Sequence, residues 1–300
     1  MPLPTFLIIG APKCGTTSLY HFLSQHPQIC MSDEKEPYFF CYSGREFAFG
    51  GPGGEEFARS IVTQQGDYEA LFRPVRDHAA IGEATPFYLY CPAAPERIRQ
   101  LVPNARLIAI LKNPVDRAFS HYLHFRLRYA EPLETFEEAL NAEAGRVAAN
   151  WGPGYHYQRL GFYAAQLKRY RSCFEAQQIK VCLQSDLSQF PGRTLEECFD
   201  FLGVRRELAL DTSSRYNVTG VPRHPALHAV LFKASPWKSL LKALLPAGLR
   251  DRMRERLRSW NLEKPVLARQ TRLRLVEDYR EDVMELQDLI GRDLSGWLSS

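Results

Sequence analysis

A P-loop-like, three-layer α/β fold, with a central, mostly parallel sheet and helices on both faces, is what these 300 residues predict. Three features lead there. Phe6–Ile9 and Leu107–Leu111 are short, continuous apolar runs, the pattern of strands buried on both faces. Stretches of helical period alternate with them, as in βαβ units. The first run passes through a glycine turn directly into a helix-like segment. The composition (45% hydrophobic, 24% charged, 12% aromatic) excludes disordered, collagen-like and low-complexity chains. The length suffices for a sizeable core.

Taken in order, Phe6–Ile9 is bounded by Pro4 and Gly10. A helix follows with Leu19, Phe22 and Leu23 on one face, closed by His26-Pro27. Leu107–Leu111 leads into Asn113-Pro114, after which Val115 to Arg128 reads as helical. Leu160, Tyr163, Ala164, Leu167, Tyr170 and Phe174 keep the helical period, and Ile179–Leu183 reads as the next strand. Thr194 with Glu197 is a capping-box pattern, predicted to open a helix with Leu195, Cys198, Phe199 and Leu202 inward and Gly203 as its stop. Gly44–Gly54 and Gly145–Gln158 read as long loops of the kind that form lids or substrate walls. Leu231–Trp260 mixes Trp237, Leu240, Leu241, Leu244 and Leu245 with arginines. A C-terminal helical layer over about 225–300 with a solvated basic face explains it better than a membrane or acidic-partner surface. Neither an internal repeat nor a linker is visible, so 1–300 is expected to form one domain.

The net charge of +4 (38 basic, 34 acidic residues) is too mild for a nucleic-acid binder, and no aromatic RNA-binding motif is present. The seven cysteines form no CxxC pair, which suits reduced, mostly buried thiols and a cytoplasmic protein. Phe6–Ile9 is too short for a signal core or a membrane span, and no transmembrane segment is expected elsewhere.

The most informative segment is Gly10-Ala11-Pro12-Lys13-Cys14-Gly15-Thr16-Thr17-Ser18. Between a strand and a helix, such a turn presents unpaired N–H groups at the positive end of the helix dipole, a cradle for phosphate. Lys13 supplies charge, Gly15 close backbone approach, and three hydroxyls further donors. It is not a Walker A loop, because position 16 is Thr where that motif needs Lys. The second strand ends in Leu111-Lys112 and not in an acid that would hold magnesium.

These motifs resemble the sulfotransferases that use 3′-phosphoadenosine 5′-phosphosulfate. FLIIGAPKCGTTSLYHFLSQHPQI is similar to their 5′-phosphosulfate loop and RLIAILKNPVDRAFSHY to their 3′-phosphate motif. EKEPYFF, IGEATPFYLY and LGFYAAQLKRY fall at the expected places. The resemblance is to the Golgi-type and bacterial carbohydrate or small-metabolite group, and covers most of the chain except about 206–272. It implies a transfer to an acceptor hydroxyl, on a carbohydrate or on a free or carrier-bound metabolite, with no metal and with adenosine 3′,5′-bisphosphate as product.

Carried over by position, the resemblance puts Lys13, Cys14, Gly15, Thr16, Thr17 and Ser18 at the 5′-phosphosulfate. Lys112 and Ser120 fall at the 3′-phosphate. Lys112 stands where the family usually has Arg, and so lacks the bidentate fork. TGVPRHPAL resembles a late loop over the 3′-phosphate, pointing to Arg223. Glu36 matches the general base, and an unperturbed glutamate titrates near about 4.3, so it is ionised at neutral pH. Pro37 is expected to hold Glu36 extended, aiming it into the cleft. Glu83 is a second acid–base or acceptor-contact candidate, at the end of the strand-like Ala79–Gly82. The next residue is Ala84 where heparan-type members commonly carry Lys, which points away from a polyanionic acceptor. His121, three residues before His124 on one predicted helix face, is a further candidate for the acceptor pocket. Arg117 suits either the 3′-phosphate or a pairing with Asp116. Two other classes compete with this reading: a P-loop small-molecule kinase using ATP and magnesium, which the lysine placement and the missing acid after the second strand speak against, and a non-enzymatic basic binding module built on Leu231–Trp260, for which the charge balance is too mild.

Overall fold

The computed structural model describes residues 2–73, 77–206, 211, 221–222, 262–263 and 265–299. Strands β1 (Phe6–Gly10), β2 (Ile29–Met31), β3 (Ala80–Ala84), β4 (Arg106–Leu111) and β5 (Ile179–Leu183) form a five-stranded sheet of order β2-β3-β1-β4-β5. All its pairings are parallel. Helices α1 (Thr16–Leu23), α2 (Phe39–Tyr42), α3 (Gly54–Arg59), α4 (Gln65–Ala70), α5 (Ala94–Leu101), α6 (Pro114–Leu127), α7 (Phe136–Ala148), α8 (Tyr163–Arg171), α9 (Gln184–Gln189), α10 (Pro191–Leu202) and α11 (Arg269–Ile290) complete the described elements. A short antiparallel pair, β6 (Val221–Pro222) with β7 (Leu262–Glu263), lies apart from the sheet.

β1 is the central strand and is wholly buried, as its unbroken apolar run requires. The chain runs from it to β2 and β3 on one side and to β4 and β5 on the other. The turn after β1 therefore sits where the strand order reverses, the place where open α/β sheets leave a crevice at the carboxyl ends of their strands. Gly10 ends β1 under close packing: a Cβ there would lie 2.5 Å from Leu89 Cβ and 3.0 Å from the Pro86 carbonyl. Only glycine lets the turn after β3 settle on the end of β1.

α6 starts where Asn113-Pro114 predicts. The Asn113 side-chain oxygen accepts from the N–H groups of Val115 (2.9 Å) and Asp116 (3.4 Å), with Pro114 at the first helical position. α11 supplies a helix in the C-terminal region and packs on α8 and α6. The Asp282 carboxylate accepts from the Ala164 (3.1 Å) and Ala165 (3.2 Å) N–H groups, and Arg272 pairs with Asp116 at 2.6 Å. The rest of the expected helical layer, with Leu231–Trp260, lies outside the described residues.

Two sequence expectations are corrected. Thr194 does not open a helix: α10 begins at Pro191, and the buried Thr194 hydroxyl donates to the Phe190 carbonyl one turn back (3.1 Å). A complete capping box instead opens α7, where Thr135 pairs with Glu138. That helix runs to Ala148, so the loop begins four residues later than Gly145. Its remainder packs on the other predicted loop. Gly50 bridges Trp151, its N–H donates to the Asn150 carbonyl (2.9 Å), and the Tyr155 hydroxyl donates to the Pro52 carbonyl (2.9 Å). Gly51 has φ 79°, and a Cβ there would meet the Trp151 ring at 2.4 Å, so glycine is needed for the indole to close this wall.

Candidate active site

The β1–α1 turn is built as its sequence suggests. Lys13 (φ 67°) and Gly15 (φ 100°) both take the left-handed region, and Gly15 caps α1 without a side-chain cap among the described residues. The first helical bond runs from Leu19 N–H to the Gly15 carbonyl (3.0 Å), and the amides that precede it open the helix as an anion-binding end. Thr17 and Ser18 are half-buried here. Thr16 is buried, and Cys14 faces inward: its N–H donates to the Ala11 carbonyl (3.2 Å) and its enclosed thiol is pushed up in pKa by burial. Cys14 is thus part of the turn's framework, with its amide already used.

Lys13 is the electrostatic centre of the turn. Burial, then the charges of Arg128, Lys35 and Lys112, push its pKa down to about 8, against the pull of Glu36. It is still mostly protonated at neutral pH, and its cost as a crowded cation is relieved by an arriving anion. Lys112 follows β4, and its carbonyl accepts from the Tyr163 hydroxyl (3.0 Å), which also lies 3.7 Å from Cys14 Sγ. Tyr163 on α8 therefore ties the β1–α1 turn to the end of β4. Ser120 sits half-buried on α6 about two turns in. Arg223 lies outside the described residues.

Glu36 stands beside the same turn. Lys35 Nζ donates to Glu36 Oε1 (2.7 Å) and to Thr17 Oγ1 (3.2 Å), and the Tyr38 hydroxyl donates to Glu36 Oε2 (2.8 Å). Its backbone differs from expectation. Glu36 has φ 64°, in the left-handed region, and not the extended conformation that Pro37 favours. Its N–H is fixed to the Ala84 carbonyl at the end of β3 (3.0 Å), and Tyr38 (φ 55°) is left-handed as well. Three non-glycine residues with positive φ around one turn are strain of the kind that collects at working sites.

Glu83 is placed otherwise than expected. It lies inside β3 with no exposure, its Oε1 accepts from the Thr85 hydroxyl (2.9 Å), and its Oε2 finds no hydrogen-bond partner among the described residues. Burial raises its pKa to about 8, the hydroxyls of Tyr88 and Thr85 offsetting this only in part. It is therefore an enclosed interior acid, protonated at neutral pH. The sign of its effect on stability follows. The folded value exceeds the ordinary 4.5, so the folded state holds the extra proton between the two, and stability should fall as pH rises from 4.5 to about 8. Glu83→Gln should flatten that slope in urea melts between about pH 5 and about pH 8. An unchanged slope would show a carboxyl with access to water.

His121 is also buried, against Phe87 (6.2 Å between ring centroids), Phe125 (5.0 Å) and Tyr157 (5.5 Å). Burial, then Arg117 and Lys13, hold its pKa well below the usual range, so it is a neutral ring. Arg117, a phosphate candidate from sequence, is fully buried and donates to the Tyr157 carbonyl, while Asp116 pairs with Arg272. Its place is under the site. Lys35 and Tyr38, as partners of Glu36, were not singled out from sequence. Their adjacency in Lys35-Glu36-Pro37-Tyr38 was the only signal available. Arg128, which acts on Lys13 from the end of α6, left none.

A glycine turn with a lysine at the switch point of a parallel sheet, and a second lysine at the next strand end, defines a P-loop-like α/β class. The chain belongs, more particularly, to the sulfotransferase family: the sulfotransferase domain model matches residues 3–218. A solved sulfotransferase from Alicyclobacillus acidocaldarius is 32% identical, with 100% of each chain covered and a TM-score of 0.78. The membrane-associated sulfotransferase kil1 of Dictyostelium discoideum is 34% identical over 47% of this chain and 28% of its own length. The human bifunctional heparan sulfate N-deacetylase/N-sulfotransferase 3 is 32% identical over 67% of this chain and 22% of its own. The chain thus spans under a third of the length of these curated relatives. No helix among the described residues is long and apolar enough to cross a membrane.

Proposed function

We propose that the chain transfers the sulfuryl group of 3′-phosphoadenosine 5′-phosphosulfate to an acceptor hydroxyl, with Glu36 as general base and Lys13 as the cation at the leaving phosphate. The observation that carries this is the placing of an ionisable carboxylate one lysine away from Thr17 on the phosphate turn. The donor fits the residues present: the start of α1 with Lys13 would hold the 5′-phosphosulfate, and Lys112 with Ser120 the 3′-phosphate. Bound there, it would supply an activated sulfuryl group. The chain's own work is to neutralise the phosphate with Lys13, to orient Glu36 through Lys35 and Tyr38, and to take the hydroxyl proton on Glu36.

For the acceptor, Tyr38 meets Phe57 (4.9 Å) and Phe87 (5.9 Å), and Phe87 continues to His121. This aromatic run beside Glu36 supports an acceptor with a flat or apolar body, a sugar ring or a free or carrier-bound metabolite. The match to a heparan sulfate enzyme keeps the carbohydrate in view. The seven free cysteines support a cytoplasmic setting.

Calorimetry tests the donor site. Adenosine 3′,5′-bisphosphate should bind more tightly than AMP, since the 3′-phosphate adds charge-assisted contacts worth about 1.5–3 kcal/mol each. Binding should survive a metal chelator. Equal affinity for the two nucleotides would remove Lys112 and Ser120 from the site.

A further inference from the structure

We propose that Lys35 is a positioning residue that couples the aim and ionisation of Glu36 to occupancy of the phosphate turn. This rests on reading Glu36 as the base. The Lys35 ammonium is shared between Glu36 Oε1 (2.7 Å) and Thr17 Oγ1 (3.2 Å), while Tyr38 holds Oε2 (2.8 Å). Both carboxylate oxygens are thereby fixed, one of them by a cation that also touches the first turn of α1. Neighbouring side chains on an extended backbone point to opposite sides. The left-handed turn at Glu36 (φ 64°) brings Lys35 and Glu36 together, and a conformation of that cost persists only where its surroundings hold it.

Two consequences follow. A cation in contact favours the ionised carboxylate, so Lys35 keeps Glu36 ready to take a proton. An anion seated on the turn competes for the same ammonium and for the Thr17 hydroxyl, so Glu36 senses it. The other charged groups acting here are Lys13 from the β1–α1 turn, which attracts Glu36, and Glu83 from β3, which is coupled to it as a like charge when ionised. Neither of them has a hydrogen bond to Glu36, so Lys35 is the direct link.

The test is a carbon-detected NMR titration of the Glu36 carboxyl in the full chain, with and without adenosine 3′,5′-bisphosphate. It needs no acceptor. In Lys35→Met the Glu36 midpoint should move up, because the cation that favours the ionised carboxylate is gone, and Lys35→Arg should bring it back. The nucleotide should raise the midpoint in the parent, and raise it less in Lys35→Met, where only its own charge and its neutralisation of Lys13 still act. Lys35→Gln, which keeps a donor without the charge, gives the same comparison if methionine packs badly. A midpoint unmoved in both uncharged variants, or a nucleotide response as large in them as in the parent, overturns the proposal. Failure of Glu36 as base would show separately, as transfer activity retained in Glu36→Gln.

Discussion

Glu36→Gln should lower turnover by about a hundredfold or more, the usual range for loss of a general base, with affinity for adenosine 3′,5′-bisphosphate barely changed. The substitution keeps the size and one acceptor oxygen, which can still take the Lys35 ammonium, while the amide nitrogen that replaces the other oxygen meets the Tyr38 hydroxyl as a donor. It removes the basicity and the negative charge. Steady-state rates against pH give a second check. The parent should lose rate at acid pH as the carboxylate protonates, and that limb should vanish in the variant. If Glu36→Gln is nearly as active as the parent while His121→Ala or Glu83→Gln is inactive, the base lies elsewhere.

Lys13→Ala should cost turnover on a similar scale, about a hundredfold. Its charge matters most while negative charge grows on the leaving phosphate. Lys112→Ala should chiefly weaken donor binding, because the 3′-phosphate does not change during transfer. The two lysines therefore separate in kcat and KM. With a pKa near 8, Lys13 carries its charge at neutral pH and loses it as pH rises through that value in the free protein. Donor affinity should fall on the alkaline side, and Lys13→Arg should move that limb upward. Lost turnover at saturating donor in Lys112→Ala, with only lost affinity in Lys13→Ala, would reverse the assignment.

The parts legible in the sequence were those set by local rules. The unbroken apolar run of β1, the glycine turn behind it and the Asn113-Pro114 start of α6 each have a short-range cause. β2 has only three residues, too few for a periodic signal. Thr194-x-x-Glu197 misled because a threonine inside a helix bonds the carbonyl four residues back as readily as it caps, and Pro191 had already opened the helix. Pro37 misled because its local preference was overridden by the Glu36 N–H bond to Ala84 and by the carboxylate's two partners. Glu83 looked like a strand-end acid. β3 continues through it to Ala84, and one residue more of strand turns an open carboxylate into an enclosed acid. The link from Lys35 to Thr17 spans 18 residues and exists only once β2 has brought the two turns together.

The most direct measurement is transfer of label from sulfur-labelled 3′-phosphoadenosine 5′-phosphosulfate to a panel of sugar, apolar and carrier-bound hydroxyl acceptors, with amines included, in the presence of a chelator. A labelled product that appears with the parent chain and is lost in both Lys13→Ala and Glu36→Gln is the predicted result. Labelled acceptor from ATP and magnesium instead, with no transfer from the sulfur-labelled donor, would contradict it.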